Sequence, residues 1–226
     1  MSTPPDAATP RSPRPPRSSR RLLIATTNPH KIREFRDLLE GLPYDVISPD
    51  DIGLALAVAE TGTTFAENAI LKATAWADAS GLPALADDSG LEIDALGGEP
   101  GIYSARWAGE DVSYEERFRI LLARLADVPA ERRTARYRAA IAIAEPAPVG
   151  LRSVVEGTLE GQIASAPAGS GGFGYDPIFY VPEQERTVGQ MSDAEKHRIS
   201  HRARAAALAR GLLQRLADEP DAGAAE

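Results

Sequence analysis

The sequence has no cysteine and no long apolar run. The absence of cysteine from 226 residues excludes disulfides, zinc–thiolate sites and cysteine nucleophiles, and it fits a reducing cytosol. No segment approaches the roughly 18 apolar residues of a membrane span, and the start of the chain, Met-Ser-Thr-Pro-Pro, lacks the apolar core of a secretory signal. We therefore expect a cytoplasmic protein that does not insert into a membrane.

Negative charge predominates beyond the first 21 residues. The chain carries a net charge of −8. Residues 1–21 contain five arginines and one aspartate, a local charge of +4, so the remainder carries −12. Such an acidic body is a poor general nucleic-acid binder, because the phosphate backbone favours clusters of Lys and Arg. Phosphate chemistry in this body must depend on a few well-placed cations and a metal ion.

Length and composition predict one folded domain between two tails. The hydrophobic content of 43% and the charged content of 26% are typical of a globular protein. Residues 1–20 are rich in Pro, Ser and Arg, and residues 217–226 are acidic, so both segments are predicted to be disordered. The folded domain is therefore predicted to span residues 21–216. The Arg-rich tail can also contact RNA or an acidic surface, although a solvated tail is the simpler interpretation.

Strands and helices alternate along the predicted domain. Short apolar or alternating segments predict strands at residues 21–26, 44–48, 82–86, 136–144 and 153–164. Apolar periodicity predicts helices at residues 31–42, 65–80, 113–126 and 193–216. This order predicts an α/β fold built on a mixed sheet with flanking helices.

Asp87 and Asp88 are two adjacent carboxylates at the end of an apolar segment. They follow the apolar segment 82–86 and precede Ser89-Gly90. Adjacent like charges repel, and a carboxylate near a core needs a partner. Mg²⁺ is a suitable partner, because it prefers oxygen ligands and is commonly bound by one or two carboxylates together with phosphate oxygens. The alternative for an isolated motif of this kind is a polar turn with an Asx cap.

Three further segments predict contacts with a nucleotide. The turn at residues 27–30 lies between a strand and a helix, which directs N–H groups at an anion, and Lys31 adds a cation in the first helical turn. Lys72 lies four residues after Asn68 on a predicted helix and can face phosphate. The Gly-rich segment 170–179 carries three aromatic side chains suited to stacking on a base. These are Phe173, Tyr175 and Phe179.

The polar candidates lie mainly in loops and at helix starts, where site residues are common. Lysines, an arginine and several acids, without cysteine, suit metal-assisted attack of water on a phosphate. The candidates are Thr26, Asn28, Lys31, Glu60, Lys72, Asp87, Asp88, Ser89, Asp176, Lys196, His201 and Arg202.

Six motifs occur in order from about residue 21 to residue 216. They are Thr26-x-Asn28-x-x-Lys31; Glu60-Thr-Gly with Phe65-x-Glu67-Asn68-Ala69-x-x-Lys72-Ala73; Ala86-Asp-Asp-Ser-Gly-Leu91; Pro100-Gly-Ile-Tyr-Ser-Ala-Arg106; Gly171-Gly-Phe-Gly-Tyr-Asp-Pro-Ile-Phe179; and Lys196-x-x-x-Ser200-His-Arg202. Together they resemble the inosine/xanthosine triphosphate pyrophosphatase family, whose members remove noncanonical purine nucleotides.

The resemblance implies hydrolysis of ITP, dITP and XTP to the monophosphate and pyrophosphate with Mg²⁺. It also implies a homodimer, and an elongated α/β fold with two lobes around a central nucleotide-binding cleft. Glu60 and Asp88 would hold Mg²⁺, and Asp88 would deprotonate or orient water. The residues implied in substrate binding are Thr26, Thr27, Asn28, Lys31, Lys72, Ser89, Phe173, Gly174, Tyr175, Asp176, Lys196, His201 and Arg202.

His201 and Arg202 explain how a 6-keto purine can be selected. Both offer hydrogen-bond donors to O6 of the base, whereas the 6-amino group of adenine is itself a donor. A buried donor left unpaired costs about 1–3 kcal/mol. Guanine shares the 6-keto group, so the rejection of GTP requires some further contact.

Two alternatives stay open at this point. One is a related pyrophosphatase that acts on other damaged nucleotides, or on pyrimidine triphosphates as in Maf-like relatives. The other is a nucleotide- or RNA-binding module without turnover, attached through the Arg-rich tail. Turnover of ITP separates the second alternative from the enzyme, and a comparison of ITP, XTP, 8-oxo-dGTP and UTP separates the first.

Overall fold

The computed structural model describes residues 20–219, which form a mixed sheet with α-helices packed against it. The strands are β1 (Arg20–Ile24), β2 (Tyr44–Ile47), β3 (Ala84–Ile93), β4 (Thr134–Glu145), β5 (Gly150–Ile163), β6 (Phe179–Val181) and β7 (Arg186–Thr187). The helices are α1 (Pro29–Leu38), α2 (Phe65–Ser80), α3 (Tyr114–Arg124), α4 (Asp193–Ile199) and α5 (His201–Asp218). The predicted class, an α/β fold with a mixed sheet and flanking helices, is confirmed.

The sheet has the strand order β2-β1-β3-β4-β5-β6-β7. β2, β1 and β3 are parallel, and each later neighbouring pair is antiparallel. Parallel neighbours need crossover connections, and α1 and α2 supply them. Most of the two predicted tails, residues 1–19 and 220–226, lies outside the described residues, while α5 continues two residues past the predicted end of the domain at 216.

Three apolar clusters lie at different places along the long central strands. The first, against α3, includes Leu91, Ile93, Phe118, Leu121 and Phe179. The second, against α1 and α5, includes Leu22, Phe35, Leu85, Ile141 and Leu213. The third, against α2, includes Ala69, Trp76, Ala84, Ala86 and Ala142. β3 contributes to all three, and its residues 87–89 lie between the first cluster and the other two.

β3 corrects the prediction that the strand ends at residue 86. It continues through Asp87-Asp88-Ser89-Gly90 and pairs with β4 over its whole length. Successive side chains of a strand point to opposite faces of the sheet. Asp87 therefore lies on the face covered by α1 and α5, and Asp88 on the face covered by α2, which separates the adjacent carboxylates. The polar-turn alternative for this motif is wrong.

The last predicted helix, 193–216, is two helices. Ser200 has an extended conformation (φ −63°, ψ 153°), ends α4, and caps α5 by accepting a hydrogen bond from the N–H of Ala203 (3.1 Å). The break places His201 and Arg202 in the first turn of α5. Gly157 of β5 permits the close approach of this turn, because a Cβ there would clash with the backbone of His201.

Candidate active site

One cleft of about 300 Å³ is lined by every residue that the family resemblance assigns to a metal or substrate. Two other candidates, Asp87 and Phe179, do not line it. The lining residues come from the β1–α1 turn, the segment before α2, α2 itself, β3, the Gly-rich segment 170–179 and the α4–α5 junction. Those lining the cleft are Thr26, Thr27, Asn28, Lys31, Glu60, Lys72, Asp88, Ser89, Phe173, Gly174, Tyr175, Asp176, Lys196, His201 and Arg202. Their individual roles stay predictions.

Asn28 is the N-cap residue of α1, the first helix that contributes to the cleft. Its side chain accepts hydrogen bonds from the N–H groups of His30 (2.9 Å) and Lys31 (3.4 Å), and Pro29 at the first helical position has no N–H to satisfy. The helix therefore starts two residues earlier than predicted. Because these two N–H groups are already bonded, the anion contacts predicted for this turn depend on its side chains. Lys31 turns toward β3, with Nζ 2.6 Å from Asp87 Oδ2.

Six charged side chains form a buried series of ion pairs, which we call the inner network. Consecutive partners lie 2.5–3.1 Å apart, and the side chains are at most 16% exposed. Because the charges alternate in sign, each buried charge lies beside an opposite one. In order along the network the residues are Lys31, Asp87, Arg202, Glu34, Lys196 and Asp176.

Burial and ion pairing act in opposite directions on the acids of the inner network. Burial alone would raise the pKa of Asp87, but the charges of Arg202 and Lys31 outweigh it and the pKa lies below its ordinary value. Glu34 behaves in the same way, with Arg202 and Lys196 lowering its pKa against the effect of burial. Two charged acids are therefore fixed inside the protein at neutral pH.

Four residues on the α2 side form a second, more exposed set, the outer network. Lys72 Nζ donates to Glu60 Oε1 (2.9 Å) and to Asp88 Oδ1 (2.8 Å), and Arg106 donates to Glu60 Oε2 (2.9 Å). The side chains are 10–34% exposed. Burial raises the pKa of Asp88 although Lys72 lies beside it. Asp88 is therefore closer to accepting a proton than its neighbour Asp87.

The residues of the outer network fit a hard divalent cation. The ammonium of Lys72 lies between Glu60 and Asp88, so this pair of carboxylates already binds a cation. Within residues 20–219 no group of three or more His, Cys, Asp or Glu side chains is arranged to hold a metal. Two carboxylates suit Mg²⁺, which takes its remaining ligands from water and phosphate oxygens. The inner and outer networks together contain five cations and five carboxylates, so their charges cancel. The negative charge of a bound triphosphate would therefore need the positive charge of Mg²⁺.

An aromatic stack supports His201 at the other side of the cleft. The Tyr137 ring lies between Phe179 (4.3 Å between centroids) and His201 (4.7 Å), and its hydroxyl donates to Asp176 Oδ1 (3.1 Å). Burial, followed by the charge of Arg202, holds the pKa of His201 well below its ordinary value, so the imidazole is neutral at pH 7. Its Nδ1 is buried without a hydrogen-bond partner among the described residues.

Only part of the predicted stacking surface lies in the cleft. The Phe173 ring stacks on His30 (5.1 Å between centroids), and Lys196 Nζ lies 4.4 Å from its centroid. Tyr175 lines the cleft, but its side chain is buried and its hydroxyl donates to the carbonyl of Ser104 (3.1 Å). Phe179, predicted as a stacking residue, belongs to the apolar core and does not line the cleft, because β6 turns its ring inward. Phe173 is therefore the better candidate for contact with a base.

Several residues of the site were not identified from the sequence. Glu34 lies one helical turn after Lys31, a spacing that places both on one side of α1, yet a charged helical residue is usually solvated. The alternating pattern of residues 136–144 predicts a strand at Tyr137 but no place for it in the site. Asn68 and Arg106 belong to the recognised motifs, but no role was assigned to either. In the structure Asn68 is fully buried beside Asp88.

Comparisons with known proteins agree with the arrangement of these motifs. Residues 22–211 match the model of the Ham1 family. A dITP/XTP pyrophosphatase of Symbiobacterium thermophilum is 53% identical over 203 residues, which is 89% of this chain and 99% of the relative. A Ham1 protein structure from Staphylococcus aureus is 42% identical and covers 87% of this chain and 100% of its own, with a TM-score of 0.77. A HAM1 protein structure from Coxiella burnetii is 39% identical and covers 87% and 99%, with a TM-score of 0.78.

Proposed function

This chain belongs to the Ham1 family, and on that premise we propose that it hydrolyses noncanonical purine nucleoside triphosphates. The substrates are ITP, dITP and XTP, and each turnover consumes one water and yields the monophosphate and pyrophosphate. The observation that carries the proposal is the Glu60–Lys72–Asp88 cluster, with contacts of 2.8–2.9 Å, in the same cleft as His201.

The triphosphate is proposed to bind between the β1–α1 turn and α2. Thr26 accepts a hydrogen bond from the N–H of Asn28 (3.2 Å), which holds the turn against the cleft. Lys31 and Lys72 contribute positive charge from opposite faces of the sheet. Burial lowers the pKa of Lys31 against the effect of Asp87, whereas Asp88 and Glu60 raise the pKa of Lys72 above its ordinary value despite burial.

Glu60 and Asp88 are proposed to hold Mg²⁺, which when bound offsets charge on the phosphate oxygens. The Asp88 carboxylate orients the attacking water or takes its proton. Its raised pKa favours proton acceptance compared with an ordinary aspartate. Lys72 then neutralises phosphate charge from α2. Charge stabilisation of this kind is commonly the largest contribution to catalysis.

The base is proposed to bind on the inner-network side of the cleft. The neutral His201 retains one ring N–H as a donor. Both terminal nitrogens of Arg202 already donate to protein groups, Nη1 to Glu34 (2.5 Å) and Nη2 to Ser89 Oγ (2.8 Å). Arg202 is therefore held rigidly before any substrate arrives. A preorganised site of donors disfavours adenine, whose 6-amino group cannot accept their hydrogen bonds.

Assembly and location are also proposals. We infer a homodimer from the family resemblance, and a cytoplasmic location from the absence of cysteine. None of the helices described within residues 20–219 is long and apolar enough to cross a membrane. The Arg-rich segment, on which the RNA-binding alternative depends, lies largely outside the described residues.

Pyrophosphate release tests the proposed function. ITP, XTP, GTP, ATP, UTP and 8-oxo-dGTP are each supplied with Mg²⁺ and with EDTA. We expect fast, metal-dependent release from ITP and XTP and little from the other substrates. Preferential turnover of UTP or 8-oxo-dGTP would favour the related pyrophosphatases, orthophosphate release would indicate a γ-phosphatase, and no turnover would favour the binding module.

A further inference from the structure

Asn68 connects the two predicted metal ligands. Its Nδ2 donates to Asp88 Oδ2 (3.3 Å), and its Oδ1 accepts the backbone N–H of Gly62 (2.8 Å), two residues after Glu60. The side chain is fully buried in the first turn of α2. One amide therefore bonds both β3, which carries Asp88, and the segment that carries Glu60.

The two oxygens of Asp88 have different partners as a result. Oδ2 accepts from Asn68, and Oδ1 accepts from Lys72 (2.8 Å), which lies one turn further along the same helix. A carboxylate with one oxygen fixed in this way cannot rotate freely about its Cβ–Cγ bond. The carboxylate is therefore held with Oδ2 toward Asn68 and Oδ1 toward Lys72.

The segment before α2 is built closely around Asn68. An added Cβ at Gly62 would lie 2.7 Å from Asn68 Oδ1 and 2.6 Å from the Cβ of Glu67, so glycine permits the approach. Thr64 separately caps α2 by accepting the N–H of Glu67 (3.1 Å). The start of the helix is therefore stabilised without Asn68, whose amide is left to hold Asp88 and Gly62.

We propose that Asn68 is a positioning residue that fixes the Asp88 carboxylate relative to the segment carrying Glu60. It acts through Asp88 and Gly62 and does not contact the substrate. Removal of a residue that hydrogen-bonds to a metal ligand and orients it commonly lowers activity or metal affinity about 10- to 100-fold. The inference rests on the proposed function, because it assigns Asn68 a part in that reaction.

Two variants separate positioning from a structural role. Asn68→Ala removes both hydrogen bonds. Asn68→Asp keeps the shape and the acceptor for Gly62 but replaces the donor to Asp88 with an oxygen. Thr64→Ala is the matched control, because it weakens the same helix start without touching Asp88.

The readouts are turnover of ITP with Mg²⁺, thermal unfolding, and equilibrium binding of the α,β-methylene analogue of ITP at saturating Mg²⁺. We expect kcat to fall about 10- to 100-fold in both Asn68 variants, while Asn68→Ala binds the analogue as the wild type does. Thr64→Ala should keep the wild-type kcat while its unfolding temperature falls.

Wild-type kcat in Asn68→Asp would overturn the inference, and so would parallel losses of kcat and analogue binding in Asn68→Ala. If Asn68→Ala does not fold, Asn68→Asp alone decides, since it retains the Gly62 contact. A wild-type protein that does not turn over ITP would instead contradict the proposed function itself.

Discussion

The inner and outer networks hold similar charges in different surroundings. Inner side chains are at most 16% exposed, and outer ones are 10–34% exposed. Arg202 of the inner network is locked by Glu34 and Asp87, whereas Lys72 of the outer network lies between two carboxylates that solvent can reach. The buried network is thus suited to holding a fixed shape, and the exposed one to exchanging partners when phosphate and metal arrive.

Adjacent residues Asp87 and Asp88 show why the networks differ. Strand alternation places Asp87 against α1 and α5, where two cations keep its pKa low. Asp88 faces α2, where burial raises its pKa even beside Lys72. Two identical side chains on opposite faces of one strand therefore have pKa values shifted in opposite directions.

The largest expected effect is on turnover, from Asp88→Asn. Loss of a group that handles the proton of the attacking water commonly costs about 10²–10⁴-fold in rate. Stability should be retained, because the folded protein disfavours the charged form of Asp88. Pyrophosphate release and urea unfolding measure the two quantities. Asp94→Asn is the control, since Asp94 pairs with Arg136 (2.8 Å) outside the cleft. A near-normal rate in Asp88→Asn would contradict the assignment.

The second-largest expected effect is a loss of stability in the Arg202→Met variant. The substitution removes a cation from Glu34 and Asp87 and leaves both acids buried, and breaking a buried pair in this way costs about 3–5 kcal/mol. Urea unfolding measures the free energy of unfolding.

Arg106→Met is the matched change in the outer network. Arg106 is 34% exposed and pairs with Glu60, so its removal should cost no more than about 1 kcal/mol. Equal losses in the two arginine variants would remove the distinction between the networks.

A smaller, pH-dependent effect is expected from Glu34→Gln. Hydrogen bonds to charged groups contribute about 1.5–3 kcal/mol, and Glu34 makes them with Arg202 and Lys196. Because its pKa is lowered in the folded protein, the stabilisation is fully present above the unfolded pKa of about 4.3 and is lost as pH falls toward the folded value. Urea unfolding from pH 7 to pH 3 should therefore show the difference from wild type shrinking below about pH 4. A constant difference would exclude this linkage.

Local patterns predicted the helices and five of the seven strands, but not every boundary and not the short strands β6 and β7. α2 matches its predicted span of 65–80, because an N-cap threonine precedes it and Gly81 in the left-handed conformation ends it. The break at Ser200 was missed, because the apolar pattern continues through it and the capping serine looks like an ordinary helical residue. The continuation of β3 past residue 86 was missed because strand pairing with β4, a long-range contact, outweighs the turn preference of Asp-Asp-Ser-Gly.

The motifs predicted which residues line the cleft better than they predicted which of those residues contact one another. Of the predicted site residues, all but Asp87 and Phe179 line it. The partners of those residues depend on which face of β3 each one meets, and this required the position of the strand. Glu34 is the clearest example, since its pairing with Arg202 spans 168 residues of sequence and no local pattern indicates it.

Calorimetric binding of IMP and of pyrophosphate, each with Mg²⁺ and with EDTA, tests the difference between the two networks most directly. The buried network is formed before ligand arrives, so IMP should bind with the same Kd in both conditions. Pyrophosphate should bind measurably only with Mg²⁺, because the charges of the outer network cancel without it. Loss of IMP binding in EDTA, or strong pyrophosphate binding in EDTA, would contradict this account.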